Sequence, residues 1–201
     1  MLGNAPAPIR GRCLKGVSQG VAKATIYLHS LERLQTLTNP IIKQSMTNNE
    51  VMKSVRYALE IKNKEVLQMI QSGGVELTIF DVVDLLKNEE DEGFLECPAK
   101  TIHAFLDGLI LQRRGPADGP VQKSLTSTID NNTILRKLRI AFEMRDTDLI
   151  NTIESVGLSI SKSELSALFR APSHKHFMKC GDQFLRNFLK GLTHRFRPSE
   201  A

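Results

Sequence analysis

The chain has 201 residues, 41% hydrophobic and 24% charged, with a formal charge of +5. That composition fits a folded protein of one or two domains and excludes a disordered, collagenous or disulfide-scaffold chain. No apolar run approaches the roughly 20 residues of a membrane span, and no uninterrupted signal-peptide core is present, so no membrane association is expected.

The basic excess lies at one end. Residues 1–46 hold six Lys/Arg and one acid, whereas residues 47–201 hold 21 of each sign, so the overall charge is no argument for nucleic acid. Pro6, Pro8, Gly11, Gly16 and Gly20 break up any early helix, although Ala22–Leu37 suits one. An acid-poor leader superficially matches an organellar transit peptide. The competing expectation is that translation begins at Met46, just before the first repeated residue, and that 1–46 is disordered or loosely attached.

From Thr47 onward the chain contains one unit twice. Asn48–Glu60 returns as Asn131–Glu143, and the offset of 83 holds without a gap through Ile70/Ile153, Gly74/Gly157, Phe94/Phe177, Cys97/Cys180 and Gly108/Gly191. Self-similarity at so long a period marks a duplicated folding unit. The expected repeats are 47–115 and 129–197, joined by a linker over 116–128 with Pro116, Gly119 and Pro120, and followed by a tail over 198–201.

Each copy reads as four helices. Thr47-Asn48-Asn49-Glu50 has the form of a capping box, and Val51, Val55, Ala58 and Leu59 follow at helical spacing. In copy two Asp130 is the cap, and Ile134, Leu138, Ala141 and Phe142 form the stripe. Asn63 and Asp146 are expected to cap the second helices, with Val66, Leu67 and Ile70 matched by Leu149, Ile150 and Ile153. Gly73-Gly74 and Gly157 would supply the left-handed residue that ends them. Third helices open at Thr78 and at Ser161-Lys162-Ser163-Glu164, burying Val82, Leu85 and Leu86 or Leu165, Leu168 and Phe169. Fourth helices carry Ile102, Phe105, Leu106 and Leu109, matched by Leu185, Phe188, Leu189 and Leu192, with Pro98 near the start of the first.

Two retained features ask for a structural reason. Arg56/Glu60 and Arg139/Glu143 have the spacing of ion pairs along the first helices. Gly108 and Gly191 sit inside the fourth helices, where glycine costs roughly 1 kcal/mol relative to alanine. They are expected at helix crossings, where the fourth helices meet each other. Cys97 and Cys180, equivalent and unaccompanied by a disulfide framework, read as buried small hydrophobes in a reduced cytoplasmic protein.

The runs Asn48–Ala58, Asp91–Phe94, Phe105–Ile110, Asn131–Phe142 and Ser161–Leu192 resemble a family of small bacterial proteins of unknown function, the YehS-like family. The last run is the most specific, with Lys162-Ser163-Glu164-Leu165 through Cys180-Gly181-Asp182-Gln183-Phe184-Leu185-Arg186. The resemblance covers about Thr47 to Arg197 and leaves out the leader. It implies an all-helical tandem repeat and carries no established activity, so no catalytic residue is transferred.

Candidate chemistry is sparse. Helix two, a glycine-containing turn and a capped helix three have the order of a helix-turn-helix. In copy two the third helix offers Lys162, Ser163, Ser166 and Arg170 to phosphates or base edges. Copy one offers Asp81, Asp84 and Glu89–Glu92 there, which repel DNA. The charge follows suit: copy one is −4 over 47–115 and copy two +4 over 129–201. His174, His176 and Cys180 form a weak metal candidate, because copy one keeps the cysteine with Asp91 and Gly93 in place of the histidines. Ser72-Gly73-Gly74 lacks the lysine and spacing of a phosphate loop, and no nucleophile–base set is visible, so no cofactor and no catalytic residue is assigned.

The expectation is an all-α protein, a tandem duplication of a four-helix unit packed with pseudo-twofold symmetry. Its leading function is a cytoplasmic, non-enzymatic interaction module that binds a protein or itself. The rival is nucleic-acid binding through the basic second repeat, with an uncharted enzyme third.

Overall fold

The computed structural model describes residues 45–116 and 128–197. Within them the chain forms eight helices and no strand: α1 (Asn48–Leu59), α2 (Asn63–Ser72), α3 (Ile79–Leu85), α4 (Ala99–Arg114), α5 (Asn131–Ala141), α6 (Asp146–Glu154), α7 (Lys162–Leu168) and α8 (Asp182–Phe196). Helices α1 to α4 and α5 to α8 are the two copies. The expectations placed on the leader and on most of the linker and tail lie outside the described residues.

The helix starts follow local chemistry. A free N–H at the first turn needs an acceptor, and short polar side chains supply it. Reciprocal capping boxes join Thr47 to Glu50, Thr78 to Asp81 and Ser161 to Glu164, each hydroxyl accepting an N–H at 3.2 Å. Hydrogen bonds from the Thr78 and Ser161 hydroxyls, then from their backbone N–H groups, hold the Asp81 and Glu164 carboxyls below the usual range. The second helices start one residue earlier than the sequence suggests. Their N-caps are Lys62 and Arg145, whose backbone N–H groups donate to Glu65 and Asp148 at 2.7 and 2.8 Å.

The helix ends are less regular. Gly74 and Gly157 take the left-handed conformation at φ 88° and 80°, but Gly73 is right-handed and serves packing instead. The first helices are followed by Glu60, the C-cap of α1, and Glu143, one residue past the Phe142 cap of α5, both left-handed without being glycine (φ 55° and 53°). That turn directs their carboxylates away from Arg56 and Arg139, so the expected i,i+4 pairs do not form. Glu60 pairs with Arg197 at 3.0 Å and Glu143 with Arg114 at 3.3 Å, one bridge in each direction between the copies. Arg139 instead pairs with Asp146 at 2.8 Å and lies over the Phe169 ring. Arg56 makes no ion pair among the described residues.

The two copies meet through their first and fourth helices. α1 packs on α8, and α4 packs on α5; exchanging the copies turns one contact into the other, which is the pseudo-twofold. Phe105, Leu106, Leu135, Leu138, Phe188 and Leu189 belong to one continuous buried core. Each such side chain contributes about 1.5–3 kcal/mol on burial, and a 70-residue unit alone would hold few of them.

Within a copy, the fourth helix lies against the second. A Cβ added to Gly108 would stand 1.9 Å from the Met69 carbonyl oxygen, and one on Gly191 would stand 2.2 Å from that of Thr152. The glycines therefore do mark close crossings, but with α2 and α6. The expected meeting of the two fourth helices is replaced by the α1–α8 and α4–α5 seams. In copy one Gly73 adds a second close approach, its absent Cβ leaving room for the Ala104 carbonyl.

Candidate functional site

Because the copies share a backbone plan, equivalent positions act as controls for one another. The clearest divergence is on the outer face of the third helices. In α3, Ile79, Phe80 and Val83 are exposed, with fractional exposures of 38%, 76% and 41%. Val82 and Leu85 are the residues that face inward, and both are buried. The equivalents of the three exposed residues in α7 are Lys162, Ser163 and Ser166, also exposed. One helix thus presents an apolar face where its counterpart presents hydroxyls and an ammonium.

The surroundings diverge in the same sense. Residues 76–92 hold seven Asp/Glu and one lysine, while 159–175 hold one glutamate and three Lys/Arg. In copy one Lys87 is committed, pairing with Asp84 at 2.6 Å and donating to the Glu92 carbonyl at 2.8 Å. Around α7, Arg170 donates to the His176 carbonyl at 3.3 Å, which holds its guanidinium along the loop that follows the helix. Lys162, Ser163 and Ser166 are thus on one helix, and Arg170 lies beyond its end. The turn between α2 and α3 spans residues 73–78, longer than the usual three or four of a helix-turn-helix.

The metal candidate is not assembled. Cys180 is buried in the core, whereas His174 and His176 are exposed, and no group of metal-binding side chains forms among the described residues. His174 Nδ1 instead accepts the backbone N–H of His176 at 3.1 Å. Burial, aided by Asp182 and Asp130, pushes the Cys180 thiol up to about 12; burial and Glu96 do the same for Cys97. Thiols so raised are neutral packing groups, poor as nucleophiles or ligands at neutral pH.

A second feature was not anticipated from sequence. An open groove of about 600 Å³ lies along the α1–α8 seam, with Lys53 and Tyr57 on one wall and Arg186, Lys190 and His194 on the other. No helix among the described residues is long and apolar enough to cross a membrane.

Fold and surface define an all-helical tandem-repeat protein whose two copies share one core and differ on their outer faces. The chain belongs to the family described as "Protein of unknown function (DUF1456)", whose model matches it twice, over residues 48–115 and 131–197. It is similar to a protein of Escherichia coli (strain K12) described as "Uncharacterized protein YehS". The two are 39% identical over 150 residues, which is 75% of this chain and 96% of that relative. No solved structure matches the chain significantly.

Proposed function

We propose that the chain is a non-enzymatic interaction module that binds a protein through the outer face of α3. The observation that carries this is Phe80, 76% exposed between two other exposed apolar residues on a helix whose inner face is already satisfied. An apolar side chain left in water gains about 1.5–3 kcal/mol when a partner covers it, and clustered aromatic anchors dominate interfaces. The acidic stretch around α3 favours an apolar partner segment flanked by Lys or Arg. Two free buried cysteines, Cys97 and Cys180, suit a reducing compartment such as the cytoplasm.

The test is a photo-crosslinking amino acid placed at position 80 of the full chain in cells, with position 163 as the matched control. Protein adducts at 80 and none at 163 are expected; an adduct of twice the chain mass identifies self-association. Absence of adducts at 80 overturns the reading. Nuclease-sensitive adducts at 163 would favour a second reading, nucleic-acid binding through α7, which Lys162, Ser163 and Ser166 support by sharing one exposed face.

A further inference from the structure

We infer that the groove between α1 and α8 binds a small phosphate monoester. The α4–α5 seam shows how the same contact is bridged by charge. There Lys137 on α5 and Asp107 on α4 form an ion pair across the seam. Their equivalents in the α1–α8 seam are Ser54 and Lys190, so a short hydroxyl stands where the lysine was and a cation where the acid was. The bridge is gone, and the groove of about 600 Å³ lies between them.

The lost bridge also leaves charge behind. Lys190 is exposed and makes no hydrogen bond or ion pair among the described residues. Lys53 donates to the Lys87 carbonyl at 2.9 Å and to the Asn88 side-chain oxygen at 3.3 Å, neutral acceptors that position its ammonium without neutralising it. Arg186 pairs with Glu50 at 2.9 Å, and Glu50 is the only carboxylate lining the groove among the described residues. Lys53 and Lys190, neither with a carboxylate partner among the described residues, suit a dianion. The half-exposed ring of Tyr57, held beneath Arg197 at 4.3 Å, offers apolar surface to the rest of the ligand. The volume falls within the ~300–1,000 Å³ of small-molecule sites.

The experiment is a titration of the full chain, labelled with nitrogen-15, with AMP, and separately with inorganic phosphate and with adenosine. Saturable shifts at the amides of α1 and α8 are expected with AMP, weaker ones with phosphate and none with adenosine. The decisive variant is Ser54→Lys combined with Lys190→Asp, which rebuilds the Lys137–Asp107 bridge at this seam and so preserves folding. It is expected to weaken AMP by at least about tenfold, the order expected for losing charge-assisted hydrogen bonds. Shifts that do not saturate, phosphate binding as tight as AMP, or unchanged affinity in the double variant would each overturn the assignment. An unchanged melting temperature in that variant separates closure of the groove from misfolding.

Discussion

Asn49 and Cys97 are joined by a buried hydrogen bond: the Cys97 backbone N–H donates to the Asn49 side-chain oxygen at 2.8 Å. The amide nitrogen of Asn49 donates to the carbonyls of Leu85 and Leu95, each at 2.8 Å. One side chain, 2% exposed, thereby ties the end of α3 and the segment entering α4 to the start of α1. Copy two repeats the arrangement, Asn132 bonding Cys180, Leu168 and Met178 at 2.9, 2.8 and 2.9 Å. Replacing either asparagine by leucine strands one N–H and two carbonyls. Each orphaned group costs about 1–3 kcal/mol, so Asn49→Leu and Asn132→Leu should each lose roughly 3 kcal/mol or more in urea unfolding. A loss below 1 kcal/mol would mean that water replaces the clamp.

That clamp shows where sequence reasoning stops. The capping boxes at Thr47, Thr78 and Ser161 are local, so three or four residues announce them. The stripes are equally local, and Val51, Val55, Phe105 and Leu106 are buried as their spacing requires. Asn49 acts on partners 36 to 48 residues away, which no helical period reports. Nor did the helical period flag it: two and six residues are not whole numbers of turns, so Asn49 and Asn132 fall off the stripes read from Val51 and Val55 or Ile134 and Leu138. Glu60 and Glu143 misled for the opposite reason, since their spacing is helical while their left-handed backbone is not. The outer face of α3 was illegible because an exposed Phe80 and a buried one look alike in a chain. Only comparison with Ser163, once both are seen on the surface, separates them.

Gly108 and Gly191 make the second prediction. On an open helix face, glycine to alanine stabilises by up to about 1 kcal/mol. Here the added methyl would meet the carbonyl oxygens of Met69 and Thr152, at 1.9 and 2.2 Å. A backbone oxygen cannot swing aside as a side chain does, so α4 must separate from α2, and α8 from α6. Both Gly108→Ala and Gly191→Ala should therefore destabilise, by about 1–3 kcal/mol, as overpacking does. A raised denaturation midpoint in either would contradict the close crossing.

The buried thiols predict an alkaline limit. Cys97 and Cys180 have folded values raised from 9.0 to about 12. A raised folded value means stability is complete below about pH 9 and falls as pH climbs from there toward 12, because only the unfolded thiols ionise in that window. In a Cys13→Ser background, both thiols should resist a thiol reagent at pH 8 and react only at the rate of opening. Rapid labelling of the native protein would show that burial is incomplete. Cys97→Ala with Cys180→Ala should flatten the alkaline loss of stability.

The last prediction concerns α7 and the nucleic-acid reading. A helix of seven residues is about 10 Å long, so it reaches little of a groove. Of the three cations in residues 159–175, Lys162 and Arg170 are the two on or next to α7, and two phosphate contacts give a salt slope of about −2. Retention on a DNA column should therefore be confined to low salt and vanish near physiological ionic strength. Lys162→Gln with Arg170→Gln should abolish what retention there is. Asp81→Asn with Asp84→Asn, the same change of charge magnitude on the equivalent helix, should not weaken it. Elution at high salt with a much steeper slope would require a larger basic surface than α7 provides. In that case nucleic acid, rather than a protein on the face of α3, becomes the partner to pursue.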